Sequence, residues 1–319
     1  MTEDRYTRNR CAIVLAGGDG TRLKPFIREL KGVNALPKQY CNVIGSRSML
    51  EHTFDRAERL IDPERIFTVV RQEHLPYPEV QRQLSSRPSG TVVVQPKNKG
   101  TGPGILLPLL YIFKRYPHST VAIFPSDHFI VDEDLFMHYV DVACLVADGY
   151  PSRIVLLGIK PDRPEPEYGY IVPDGEVEAL RPVGIRNIRL FVEKPNPALA
   201  RELVVNGGLW NSMVLAFRTD TMITLMRRLA PELYDSFQDI LKAIGTSDER
   251  PVIEETYGNL KPVNFSEMIL QGLSLLRPPR MSVLPVTGVY WSDWGSRHRV
   301  VSALKKTGYL PRLHGPCEI

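Results

Sequence analysis

The chain has 319 residues, 43% hydrophobic and 24% charged, enough apolar surface for a substantial core and too much for a disordered protein. Its net charge of +4 comes from 40 basic residues scattered among 36 acidic ones, which suits small anionic ligands and supplies no basic run for nucleic acid. No stretch reaches the ~18 apolar residues of a membrane span, and residues 1–10 are too polar for a signal peptide, so the sequence predicts a cytoplasmic protein without a membrane partner.

Residues 11–16 (CAIVLA) form a short apolar run that stops at glycines, the pattern of a strand buried on both faces. Similar runs at 65–70, 91–94, 120–124 and 154–158 alternate with helical patterns at 49–60, 77–84, 103–114 and 134–148. Alternation of this kind predicts an α/β fold, a Rossmann-like, mainly parallel sheet with helices on both faces. After about residue 160 the pattern becomes mixed. Strands are expected near 170–172, 188–193, 209–217, 281–284 and 287–291, and helices at 197–205, 220–229, 231–244 and 296–306. Residues 1–10 read as a tail and 11–319 as one domain with halves at 11–160 and 161–319. Cys11, Cys41, Cys144 and Cys317 are too few and too far apart for a disulfide framework, so they read as reduced thiols, with Cys11 and Cys144 in the core.

In such sheets ligands bind beyond the carboxyl ends of the strands, which selects residues 17–25, 95–101 and 125–128. Gly17, Gly18 and Gly20 directly follow the first strand, so backbone N–H groups there can approach an anion; a plain glycine turn is the alternative. Arg22 and Lys24 favour phosphate. The Walker pattern is absent and Leu23 stands where a dinucleotide fingerprint needs its third glycine.

AGGDGTRLKP followed by LPKQY resembles the opening signature of the sugar-1-phosphate nucleotidyltransferases. QPKNKGTGP, FPSDH, YGYI, VEKP, LWNS and WSDWGS then follow in the family's order, over roughly residues 11–304. The set is most similar to the mannose-1-phosphate guanylyltransferase branch. The resemblance implies a nucleotide-diphospho-sugar transferase fold with a nucleotide-binding first half, an inserted sugar-binding lobe in the second, and a nucleoside triphosphate (GTP favoured) and hexose 1-phosphate (mannose 1-phosphate favoured) as substrates. A homodimer is compatible with it. The chain ends soon after this core, so a stand-alone enzyme is expected.

By the same resemblance, Leu15, Ala16, Gly17, Gly18, Gly20, Thr21, Gln95 and Thr101 face the nucleotide. Arg22 and Lys38 face the triphosphate, and Lys194 reaches the reacting phosphates from the sugar side. Gly169, Glu193 and Asn211 hold the sugar, and Asp127 and Asp293 bind Mg2+. The assignments have chemical sense. Two carboxylates brought together at strand ends, completed by phosphate oxygens and water, suit octahedral magnesium, although each aspartate could instead cap a helix. Nucleotidyl transfer needs position and positive charge more than a base, and a sugar phosphate is already an anionic nucleophile. His128 fits a structural hydrogen bond better than a magnesium ligand.

Several residues depart from the family pattern. Gln95 replaces a commoner glutamate, and an amide that both donates and accepts does not choose guanine by itself. Gly100, Gly102 and Gly104 replace asparagine and alanines; Met213 and Ser266 replace a glycine and an aspartate. Another base or sugar therefore stays open. So does a binding-only relative, which would have no need to keep Arg22, Lys38, Asp127, Lys194 and Asp293 together. A glycosyltransferase would need a metal-binding DxD, and residues 132–134 read more simply as a helix start.

Overall fold

The computed structural model describes residues 9–31 and 36–309, without the side chains of 30 and 31. Most of the expected tail and Cys317 lie outside the described residues, and Arg10 already belongs to the first strand.

Strands β1 (Arg10–Leu15), β2 (Ile66–Arg71), β3 (Val92–Gln95) and β4 (Thr120–Pro125) pair in parallel in the order β3-β2-β1-β4. Their middles are mostly apolar because both faces of the sheet are covered there, the edge strand β3 less completely than the others. Cys11 and Ile13 join one core with Val121, Ile123 and the helix Thr101–Arg115, while Ala12 and Val14 join another with Ala122, Phe124 and the helices Met49–Ala57 and Glu133–Gly149. The period-two alternation of a strand thus feeds two separate cores. Each fully buried Ile, Leu or Phe contributes roughly 1.5–3 kcal/mol.

Beyond this half the single nine-stranded sheet becomes mixed, as expected. β6 (Ile154–Ile159), β7 (Tyr170–Glu176), β8 (Arg186–Val192), β9 (Leu209–Arg218) and β10 (Met281–Val286) complete the order β3-β2-β1-β4-β9-β6-β10-β8-β7. β9 runs antiparallel to both β4 and β6, and its first residues also pair with β7. A separate ribbon joins β5 (Phe129–Ile130) to β11 (Trp291–Ser292), so the chain just after Asp127 is tied directly to the chain just before Asp293.

Two expectations need correction. The strand expected at 287–291 is only Trp291–Ser292, because Gly288 turns the backbone at φ 75°. The helix expected at 231–244 is two, Pro231–Ser236 and Gln238–Ala243, broken at Phe237. Helices Lys24–Lys31 and Glu249–Asn259 were not anticipated, nor was a π-helical turn at Ser266–Gln271. The acidic 132–134 segment does open a helix: Glu133 and Asp134 pair with Arg56 and Arg59. Cys11 and Cys144 are core residues. Among the described residues no helix is long and apolar enough to cross a membrane.

Candidate active site

The glycine-rich turn leaves β1 and is held from below by Gln39, whose amide donates to the carbonyls of Ala16 and Gly18 at 2.8 Å each. Tyr40 adds a bond to the Ala16 carbonyl at 3.2 Å. Gly20 adopts φ 56°, and a Cβ there would approach the Lys38 backbone nitrogen to 3.2 Å. Gly20 is therefore glycine for two reasons, conformation and space.

Gly20, Thr21, Arg22, Lys38, Asp127 and Asp293 line one cleft with Asp19, Asn98 and Gly295. Lys38 is its buried centre. Its ammonium lies 2.9 Å from Asp127 Oδ2 and donates to the backbone carbonyls of Asp293 at 2.6 Å and Trp294 at 3.2 Å. Burial alone would raise the Asp127 carboxyl, but the Lys38 charge outweighs it and holds the group below the usual carboxylate range. Asp293 accepts the Tyr168 hydroxyl at 2.7 Å and the Gly295 amide at 3.0 Å, and pairs with the buried Arg299 at 3.2 Å. Burial first, then the Asp293 charge, raise the Tyr168 hydroxyl far above its ordinary range, which keeps it a proton donor.

His128 has the structural role expected of it. Its Nδ1 accepts from Trp291 Nε1 at 3.2 Å, which joins β5 to β11, and burial lowers its pKa to about 4. The imidazole is neutral at pH 7.

Gly169, Glu193 and Asn211 converge at a second locus. A Cβ on Gly169 would sit 2.7 Å from Glu193 Oε2, 3.0 Å from Phe191 Cζ and 3.4 Å from Asn211 Cβ. The Asn211 amide donates to the Gly169 carbonyl at 2.8 Å, while its side-chain oxygen accepts from Met213 N at 3.1 Å, the turn role open to it from sequence. Burial raises the Glu193 carboxyl, against the pull of Lys194, whose Nζ is 3.7 Å away and largely exposed. Lys194 is not among the residues lining the cleft around Lys38. The two departures Met213 and Ser266 touch each other, Ser266 Oγ donating to Met213 Sδ at 3.3 Å.

The loop Glu167–Gly169 links the two loci. Glu167 pairs with both Arg22 and Arg299, Tyr168 reaches Asp293, and the Lys194 amide donates to the Tyr168 carbonyl at 3.2 Å. Lys194, Met213 and Trp294 have φ of 45°, 54° and 46°, so backbone strain of about 1–3 kcal/mol each is held next to this site.

On the other side of the glycine turn, Gln95 is buried and its Oε1 has no partner. Thr101 opens its helix and accepts the Phe265 amide at 2.8 Å. It anchors the 264–266 segment. Gly100 and Gly102 let Val263 close on this helix: a Cβ on Gly100 would lie 2.4 Å from the Val263 carbonyl. Sequence reasoning missed Asp19, Arg71, Glu167 and Arg299. Asp19, Glu73 and His74 bring metal-type ligand atoms within 4.8 Å of one another, but Arg71 pairs with both carboxylates and already supplies the positive charge they need.

The model of the nucleotidyl transferase family matches residues 11–308, and the chain belongs to that family. It is 33% identical to the xanthan biosynthesis protein XanB of Xanthomonas campestris pv. campestris (strain B100) over 227 residues, 71% of this chain and 46% of that protein. It is 31% identical to the mannose-1-phosphate guanylyltransferase of Escherichia coli (strain K12) over 236 residues, 73% of this chain and 48% of that one. The chain spans about half the length of the curated relatives it matches. A Thermus thermophilus structure described as a mannose-1-phosphate geranyltransferase superposes with a TM-score of 0.77 at 27% identity, covering 93% of this chain and 79% of that one.

Proposed function

We propose that the chain transfers a guanylyl group from GTP to mannose 1-phosphate, giving GDP-mannose and diphosphate. The observation that carries the reaction type is the buried Lys38 ammonium between Asp127 and the Asp293 backbone, beneath a glycine-rich turn that also presents Arg22. The choice of substrates rests on relatives named for mannose-1-phosphate guanylyl transfer. In this reading residues 11–160 hold the nucleotide and the later half holds the sugar.

The residues present suit a hard divalent cation. Asp127 and Asp293 offer carboxylate oxygens to one cleft, and Lys38 engages only Oδ2 of Asp127. Magnesium held by these two aspartates would screen the two phosphate anions from each other. The protein's own groups do the rest. The backbone N–H groups of the turn and Arg22 bind the triphosphate, Arg22 exchanging Glu167 for phosphate. Lys38, already fixed and desolvated, stabilises charge at the α-phosphate without reorganising. Lys194 and Glu193 hold the sugar phosphate and hydroxyls, so that a phosphate oxygen attacks the α-phosphorus and diphosphate departs with the cleaved α–β bond. No base is required, because the nucleophile is ionised near neutral pH.

The test is diphosphate release over a matrix of nucleoside triphosphates and hexose 1-phosphates. GTP with mannose 1-phosphate should give the highest kcat/KM. Preference for another pair by about tenfold, some 1.4 kcal/mol, would overturn the substrates and keep the reaction type. No release with any pair would overturn both.

A further inference from the structure

β2 and β3 are adjacent parallel strands, and their last residues, Arg71 and Gln95, stand opposite each other in register. Gly17, just beyond the end of β1, meets both. A Cβ on Gly17 would lie 2.3 Å from Gln95 Nε2 and 3.7 Å from Arg71 Cγ. Three neighbouring strands therefore deliver an arginine, a glutamine and bare backbone to one point at their carboxyl ends, where an open α/β sheet binds its ligand.

Both residues are more than nine-tenths buried, and each keeps an unmatched polar atom: Oε1 of Gln95 and Nε of Arg71. A buried acceptor and a buried donor left open at the ends of two adjacent strands cost about 1–3 kcal/mol apiece unless a ligand completes them. The guanidinium is also held in place. Asp19 from the glycine-rich turn pairs with Nη2 at 2.5 Å, and Glu73 pairs with the same nitrogen. The acidic pair is thus a cradle for Arg71, and Asp19 connects that cradle to the phosphate turn.

We infer that Arg71 is the residue that selects the base, by donating to a ring carbonyl oxygen while Gln95 pairs with the adjacent ring N–H. The inference rests on the nucleotidyl-transfer reading above and sharpens it. A glutamine amide can turn to match either polarity and so discriminates nothing alone. Arginine only donates. With Arg71 fixed, the neighbouring edge of the base must present an acceptor beside a donor. Guanine, hypoxanthine and uracil do so through a ring carbonyl next to N–H; adenine and cytosine present an amino group next to a bare ring nitrogen and would set donor against donor at Arg71. Arginine recognition of the guanine oxygen uses the same complementarity that reads guanine in nucleic acid.

The test compares kcat/KM for GTP, ITP, UTP, ATP and 2-aminopurine riboside triphosphate, which keeps the 2-amino group of guanine and lacks its carbonyl, in wild type and in Arg71→Gln. Wild type should favour GTP over the 2-aminopurine nucleotide, and Arg71→Gln should shrink that ratio by roughly 10- to 100-fold while leaving the GTP-to-ITP ratio unchanged. A ratio within one preparation does not depend on how much of the variant is folded. If Arg71→Gln keeps the wild-type preference for the carbonyl, or lowers all triphosphates equally, the inference fails. Wild-type preference for UTP would overturn guanylyl transfer and support the role of Arg71, since uracil presents the same carbonyl. Preference for ATP would overturn both.

Discussion

The Tyr168 hydroxyl donates to Asp293 at 2.7 Å, joining the loop that carries Gly169 to an aspartate lining the cleft around Lys38. Asp293 thus takes its orientation from the loop beside Gly169, Glu193 and Asn211 as well as from the buried Arg299. A hydrogen bond to a charged group contributes about 1.5–3 kcal/mol. Tyr168→Phe should therefore lower kcat by roughly tenfold or more with little change in the KM for the triphosphate. Steady-state kinetics with each substrate varied in turn would show it. Unchanged turnover in a folded variant would mean that Arg299 and the Gly295 amide orient the carboxylate without the tyrosine.

Gly169→Ala tests the sugar locus by crowding it. The added Cβ would come within 2.7 Å of Glu193 Oε2 and 3.0 Å of Phe191. The KM for the sugar phosphate should rise by about tenfold or more, while nucleotide binding measured in the absence of sugar stays as in wild type. Gly258→Ala, in the helix Glu249–Asn259, is the control, because a Cβ there meets nothing within 4 Å. Equal effects on both substrates would place Gly169 outside the sugar pocket.

The first half of the fold was legible because burial on both faces leaves an unbroken apolar run in each strand, as in residues 11–16. The glycine turn was legible because few structures need three glycines directly after a strand. The order of motifs pointed to Asp127 and Asp293, but only the short β5–β11 ribbon explains how residues so far apart in sequence meet. Arg71 was not visible, since an arginine ending a strand reads as a solvated charge until its cradle is seen. The same holds for Glu167 and Arg299, which pair across 132 positions. Helix Glu249–Asn259 buries little beyond Ile253 and Tyr257, which leaves hardly any periodic signal.

His74 predicts a pH dependence of stability. Its Nδ1 lies 3.2 Å from the Tyr40 hydroxyl and its Nε2 is buried without a partner. Burial, reinforced by the Arg71 charge, lowers its pKa to about 4 from an unfolded value near 6.5. The depressed pKa means that folding favours the neutral ring. The stability it contributes is complete above pH 6.5 and is lost as pH falls toward 4, because the unfolded chain takes up a proton that the native state refuses. Urea unfolding between pH 4 and 7 should show stability rising with pH. His74→Gln should reduce that slope by up to one proton, about 1.4 kcal/mol per pH unit. An identical slope in the variant would show that His74 titrates normally.

Asp127 and Asp293 should separate in stability and coincide in activity. If both hold one cation, Asp127→Asn and Asp293→Asn should each lower kcat by at least ~10²-fold, as expected when a preorganised charge partner is lost. The double variant should be little worse than either single one, since one missing ligand already disables a shared ion. Their structural surroundings differ. Asp127 is a third exposed, and Lys38 would keep two backbone carbonyls without it. Asp293 neutralises Arg299, whose side chain is only 3% exposed, so its loss leaves a buried guanidinium with Glu167 as its remaining carboxylate. Asp293→Asn should cost about 1–3 kcal/mol of stability and lower Tm by a few degrees, and Asp127→Asn should cost much less. Calorimetry and kinetics at limiting magnesium on the same preparations measure both effects. Multiplicative kinetic losses in the double variant would mean that the two carboxylates act on separate groups, and near-normal turnover in either single variant would remove that aspartate from the metal site.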